Sequence, residues 1–235
     1  MIKDEGQIFS NKESALCLFD TDLQRQHGNI RIIGTDEAGR GPLCGPVVAC
    51  AAYIPTAAYS LIGGLVNDSK KLSPHKREKA FSFMLECGVK FGFAFASARE
   101  IDSTDILSCS LRSMLAAVRK LEAQLPHTPD VGRTLVLVDG NRRIRDNGEL
   151  WQQTVVGGDA KSASIAAASI FAKVIRDRWL MLLDRQYPQY GFAKHKGYGT
   201  KAHIAAIEQY GPCPEHRFTF APIKGRFTIR ETQKK

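Results

Sequence analysis

Apolar positions along the chain change their period several times, and each change marks an expected element. Residues 1 to about 28 are mostly polar, broken by one amphipathic patch, Ala15-Leu16-Cys17-Leu18-Phe19, which reads as a short helix on the outside of the main body. β-Branched residues then take over. Residues 30–33 form a strand ending at Gly34-Thr35-Asp36-Glu37, residues 46–54 form another, and a glycine-rich turn joins them. Residues 73–87 carry the signals of a helix, with Ser73 as N-cap, Pro74 at the first helical position and Gly88 beyond the end. Alternating Phe91, Phe93 and Phe95 make 89–98 a strand, and Leu107, Leu111, Leu115, Val118 and Leu121 keep helical spacing through 104–125. A buried strand, 134–138, delivers Asp139-Gly140-Asn141, and a short one, 154–156, runs into Gly157-Gly158-Asp159. A second long helix is expected over 162–186 and a smaller one over 202–210.

Strands first, then helices between later strands, indicate an α/β mixed sheet flanked by helices. The chain's 235 residues allow one main domain with a small appendage. The composition, 43% hydrophobic and 24% charged, is that of a folded globular protein and is silent about chemistry. The formal charge of +9 changes the picture, because lysines and arginines that neutralise phosphates release condensed counterions, so nucleic acid is the leading class of partner. The six cysteines form no C-x-x-C pair and have no matching histidine spacing, which suggests neither zinc nor a redox pair but reduced thiols. No apolar signal core stands in the first residues and no stretch reaches membrane-spanning length, so a cytoplasmic protein with no membrane partner is expected.

The chemical signal lies where strands end: at Asp36-Glu37, at Asp139 and just before Asp159. Neighbouring strand ends lie side by side, so these acids can converge, and converging carboxylates raise one another's pKa unless cations compensate. Oxygen ligands without His or Cys suit Mg²⁺ or Mn²⁺. Two such ions, roughly 3.5–4 Å apart, serve phosphodiester hydrolysis. Singly each acid has a bland reading as turn former or helix cap; together, in a basic protein, they point to a metal-dependent nuclease. Asp177 competes for the fourth position, but it lies far along the helix that Asp159 precedes, and is expected to pair with Lys173 or Arg176 on the helix surface.

Basic and glycine-rich segments surround these acids in sequence. Gly39-Arg40-Gly41-Pro42 follows the acidic pair at once, letting the backbone approach a sugar hydroxyl or phosphate with Arg40 at hand. The glycines do not follow G-x-G-x-x-G, so a dinucleotide loop is disfavoured. Asn67-Asp68-Ser69-Lys70-Lys71 offers a hydroxyl and two cations to a phosphate backbone, and Lys194-His195-Lys196-Gly197-Tyr198 sets cations around a ring that either stacks on substrate or belongs to the core.

Taken in order, these blocks, with Ile165-Ala166-Ala167-Ala168-Ser169-Ile170 and Ala172-Lys173, resemble the signatures of the ribonuclease HII family from about residue 30 to 222. The resemblance implies a ribonuclease H-like mixed sheet flanked by helices with a small helical C-terminal part, about 195–222, within a catalytic domain over 29–222. Residues 1–28 are then an extension and 223–235 a basic tail. It implies metal held by Asp36, Glu37, Asp139 and Asp159, and contacts to nucleic acid by Gly39, Arg40, Gly41, Ser69, Lys70, Lys71, Lys173, Lys196 and Tyr198. The glycine turn would sense the ribose 2′-hydroxyl, and Tyr198 would stack on the following sugar. The implied activity is hydrolysis of the RNA strand of RNA/DNA hybrids and cutting on the 5′ side of ribonucleotides embedded in duplex DNA, leaving 3′-hydroxyl and 5′-phosphate ends. A monomer is expected, and residues 224–235 show no sliding-clamp motif. The alternatives are another nuclease of the same superfold acting on branched DNA, and a non-catalytic nucleic-acid-binding protein. Departures from the family pattern are small: Gly199 stands where proline is common, and Thr219 where serine is usual.

Overall fold

The computed structural model describes residues 14–28, 30–67, 72–126 and 133–227. In chain order these form α1 (Ala15–His27), β1 (Ile30–Ala38), β2 (Val47–Tyr53), α2 (Tyr59–Asn67), α3 (Pro74–Glu86), β3 (Lys90–Ala96), α4 (Ala98–Ser103), α5 (Ile106–Glu122), β4 (Arg133–Asp139), β5 (Gln152–Val155), α6 (Ala163–Gln186), α7 (Phe192–His195) and α8 (Lys201–Tyr210). The strands make one sheet in the order β3-β2-β1-β4-β5. β1 pairs antiparallel with β2 and parallel with β4, so the parallel seam runs through the middle of the sheet. Among the described residues no helix is long and apolar enough to cross a membrane.

Side chains alternate across a strand, so each face of the sheet collects its own apolar layer. Ile33, Val136 and Val138 pack on one face against Met114, Ala117 and Leu121 of α5. On the other face Ile32, Leu135 and Leu137 meet Ile165, while Val48, Cys50 and Ala52 share a core with the alanine run of α6. The small residues of that run let the helix axis come close to the sheet. At Gly34 the approach is closest: a Cβ there would lie 2.2 Å from the backbone nitrogen of Ile165, inside any permitted contact. A separate core built on Leu43, Leu180, Tyr190, Phe192 and Ile207 fastens the C-terminal part to the far half of α6.

Three local expectations need correction. β1 does not stop at Ile33: its ladder with β2 continues to the pair Ala38↔Val48, so Asp36 and Glu37 lie inside the strand. The apolar period had been broken by Gly34 and the acids, but the antiparallel partner keeps the backbone extended. The strand read over 89–98 ends earlier, because Ser97 and Glu100 form a capping box that starts α4, and the next helix begins anew after the Asp105 N-cap. Helix α2, whose Gly63-Gly64 pair disguises its apolar face, was not expected at all.

Candidate active site

The register of the parallel seam brings the acids together. Its last paired row is Thr35↔Val138, so the next residues, Asp36 and Asp139, stand at the same end of adjacent strands, which in a sheet are about 4.8 Å apart. Asp36 points to the α6 face, where Ser169 hydrogen-bonds it, and Glu37 to the α5 face, where Ser110 does the same. Asp36 is 6% exposed, and its Oδ1 accepts the Glu37 amide at 2.7 Å. Burial first, then the charges of Glu37 and Asp139, push its carboxyl up to about 7. Glu37 is raised by burial and by Asp139, offset in part by Arg40, whose Nη1 lies 3.4 Å from Oε1. The carboxylate of Asp139 accepts the amide of Gly158 at 2.6 Å. This bond ties to the cluster the short 3₁₀ turn, Gly158–Ala160, that carries half-buried Asp159.

Beside the acids, the glycine turn leaves β1 with Gly39 at φ +97°. A side chain at Gly39 is excluded twice, by that backbone angle and because its Cβ would fall 2.0 Å from Nε of Arg176. Gly39 is buried, whereas Arg40 and Gly41 are exposed. The choice left open for Tyr198 resolves to the surface: its ring is 52% exposed, and Cε1 lies 3.9 Å from where a Cβ on Gly41 would stand. A chain of imidazoles supports its backbone. The Cys213 amide donates to Nδ1 of His216 at 2.9 Å, leaving the proton of His216 on Nε2, which faces Nε2 of His203 at 3.0 Å. His203 then donates from Nδ1 to the carbonyl of Tyr198 at 2.9 Å, and burial holds its pKa down at about 4.

Other expected contacts scatter. Lys173 donates to Ser169 at 2.8 Å and so stands behind Asp36. Lys196 is half-buried at φ +52°. Ser69, Lys70 and Lys71 lie outside the described residues. Asp177 pairs neither with Lys173 nor with Arg176: its partner is Arg77 of α3 at 3.4 Å, since Arg176 turns inward to bond carbonyls. The cysteines are free thiols, and folding brings the distant Cys44 to the Cys213–His216 pair, so that the three place their ligand atoms within 4.8 Å of one another in full burial. The cluster has three donors, and its imidazole nitrogen already accepts the Cys213 amide, so it is a thiol–imidazole hydrogen-bond network beneath the glycine turn. Sequence reasoning missed Arg176, Arg217, His203 and His216. A C-x-x-H spacing at Cys213 and His216 was the one signal available for the last of these.

A mixed sheet of this order, flanked by helices and carrying an acidic cluster at its parallel seam, belongs to the ribonuclease H-like class of folds. The comparisons narrow this. The family model described as Ribonuclease HII matches residues 33–223. A Ribonuclease HII of Geobacillus thermodenitrificans is 50% identical over 194 residues, 83% of this chain and 70% of that one. Among solved structures, the ribonuclease H2 of Pyrococcus horikoshii superimposes with a TM-score of 0.68 at 26% identity, over 88% of this chain and all of the other. A Bst-RNase HIII in complex with Mn²⁺ gives 0.65 at 20% identity, over 85% and 70% of the two chains. The RNase HII of Archaeoglobus fulgidus in its complex with PCNA gives 0.58 at 24% identity, over 77% and 87%. The chain belongs to the ribonuclease HII family, and its activity is that of a ribonuclease H.

Proposed function

We propose that this enzyme hydrolyses the RNA strand of RNA/DNA hybrids and cuts on the 5′ side of ribonucleotides embedded in duplex DNA, using two divalent ions, Mn²⁺ or Mg²⁺, held by Asp36, Glu37, Asp139 and Asp159. The observation that carries this reading is the meeting of Asp36, Glu37 and Asp139 at one end of the parallel seam, next to a glycine turn and an exposed tyrosine. The donor set fits hard cations: it is all oxygen, the Asp36 and Glu37 carboxyls are both raised by burial and by the charge of Asp139, and among the described residues Arg40 is the one cation within ion-pair distance of them. Bound divalent ions supply water activation at neutral pH and charge stabilisation at the leaving oxygen.

The remaining work falls to the chain. Asp36 and Asp139 are locked in orientation by the amides they accept, and Ser169 with Lys173 behind it, and Ser110 on the opposite face, hold Asp36 and Glu37 from either side. Arg40 and Lys196 receive phosphates, the turn at 39–41 meets the ribose, and the ring of Tyr198 stacks on the sugar that follows. Residues 29–222 constitute the catalytic domain in this reading, with 195–222 as its helical C-terminal part. The test is a DNA duplex carrying one ribonucleotide, offered with Mn²⁺, with Mg²⁺ and with chelator. A single break 5′ to the ribonucleotide, leaving 3′-hydroxyl and 5′-phosphate ends and needing the ion, is expected; equal cutting of an all-DNA duplex, or cutting in chelator, contradicts it.

A further inference from the structure

Two arginines are buried beneath the glycine turn, where no phosphate can reach them. Arg217 is 0% exposed and Arg176 2%. Among the described residues neither forms an ion pair. Their hydrogen bonds go to carbonyls instead. Arg217 donates from Nε to Gly45 at 3.1 Å, from Nη1 to Arg40 at 3.0 Å, and from Nη2 to Gly39 at 2.6 Å and Gly45 at 2.8 Å. Arg176 donates from Nε to Pro46, from Nη1 to Lys196 and from Nη2 to Cys44, each at 3.0 Å. A buried guanidinium without a carboxylate carries a large desolvation cost, and this array of dipoles is what offsets it. What a guanidinium supplies that an apolar or ammonium group cannot is a rigid fork of donors in fixed directions.

Peptide geometry turns that fork into an outward-facing device. In a planar trans peptide the C=O and N–H point to opposite sides. With the carbonyl of Gly39 drawn down to Arg217, the amide of Arg40 points away from the interior; with the carbonyl of Arg40 drawn down, so does the amide of Gly41. These are the two exposed residues of the turn, and successive outward amides make a small concavity for an oxygen ligand. Two positive charges behind them strengthen the positive ends of the same dipoles. Arg176 adds a second constraint, because it holds the carbonyl of Lys196 together with those of Cys44 and Pro46, which fixes the spacing between the turn and the segment carrying Tyr198.

We propose that Arg217 and Arg176 are positioning residues for ribose recognition: the first aims the amides of Arg40 and Gly41 at the sugar, and the second sets the distance from that turn to Tyr198. The proposal rests on the reading of the turn as the ribose-sensing element given above. Neither arginine touches substrate, so their effect is on selectivity rather than on the acids.

The test uses full-length wild type, R217K and R176K, with R217M as a further variant. Binding is measured in Ca²⁺, without turnover, to a DNA duplex with one ribonucleotide and to its all-DNA counterpart, and amide hydrogen exchange is followed over residues 39–46. Lysine keeps the charge and loses the fork. The wild type is expected to prefer the ribonucleotide duplex by about tenfold or more, as a site built to hydrogen-bond a hydroxyl does. R217K and R176K should lose that preference, keep their affinity for the all-DNA duplex within about twofold, and exchange faster at 39–46. A preference in R217K equal to that of wild type overturns the role of Arg217 and leaves the ribose reading intact. Absence of any preference in the wild type overturns the ribose reading, and this role with it. Should R217M fail to fold, R217K decides.

Discussion

Asp36 sets chemistry against stability within one side chain. Its carboxyl, raised by burial from the ordinary aspartate range to about 7, binds a proton more tightly in the fold than in the unfolded chain. Stability therefore falls as pH climbs from about 4 to about 7, because the native state must give up a proton that it holds more tightly than the unfolded chain does. Asp20, raised by burial to about 6, adds a smaller contribution of the same sign. In chelator, Asp36→Asn should raise the melting temperature at pH 8 by roughly 2–8 °C while changing little at pH 4. The same substitution, or Asp139→Asn, should lower the cleavage rate by about a thousandfold or more with duplex binding largely retained; steady-state kinetics and a binding isotherm check both. Tyr198→Ala should impair cutting at lone ribonucleotides by about tenfold or more, roughly what the loss of one stacked ring is worth, and unchanged rates there would make the ring structural. The acids could be read from the sequence because each follows an apolar run. Arg217 could not, since a buried arginine that bonds carbonyls leaves no pattern among its neighbours in sequence.

Among the elements, α6 does most to shape the site. It presents Ser169 to Asp36 and Arg176 to the glycine turn, while its first turn, through the amide of Ser164, receives the buried carboxylate of Asp20 from α1 at 2.8 Å. The N-terminal helix is thus moored to the end of α6 nearest Asp159. The seat of α6 on the sheet depends on Gly34, so Gly34→Ala should destabilise the protein by about 1–3 kcal/mol or more, read from urea unfolding, and should weaken activity through displaced Ser169. Long periodic helices such as α5 and α6 were plain in the sequence. The end of β1 was not, because what prolongs it is pairing with β2, a contact no local period records. The surface partner assigned to Asp177 failed for a related reason: helical spacing shows which residues share a face, not that Arg176 bends inward toward another element.

At the scale of the molecule, the sheet register decides whether there is a site at all. Acids more than a hundred positions apart meet because β1 and β4 pair in parallel with Thr35 beside Val138; a slip of one residue would turn Asp139 to the opposite face. The C-terminal part, with its own core, closes round the other side and delivers Tyr198 and Arg217 to the glycine turn. The mixed α/β class was legible from strand and helix order, whereas this closure depends on buried histidines and arginines that only the folded chain assembles. The central claim is that acids from two strands form one cation site. It is tested most directly by titrating Mn²⁺ into the full chain, free of nucleic acid, and reading bound ion by electron paramagnetic resonance for the wild type, Asp36→Asn and Asp139→Asn. Each substitution should weaken binding by at least about tenfold, since even residues that only support metal ligands cost that much. Undiminished binding in either variant would contradict the account.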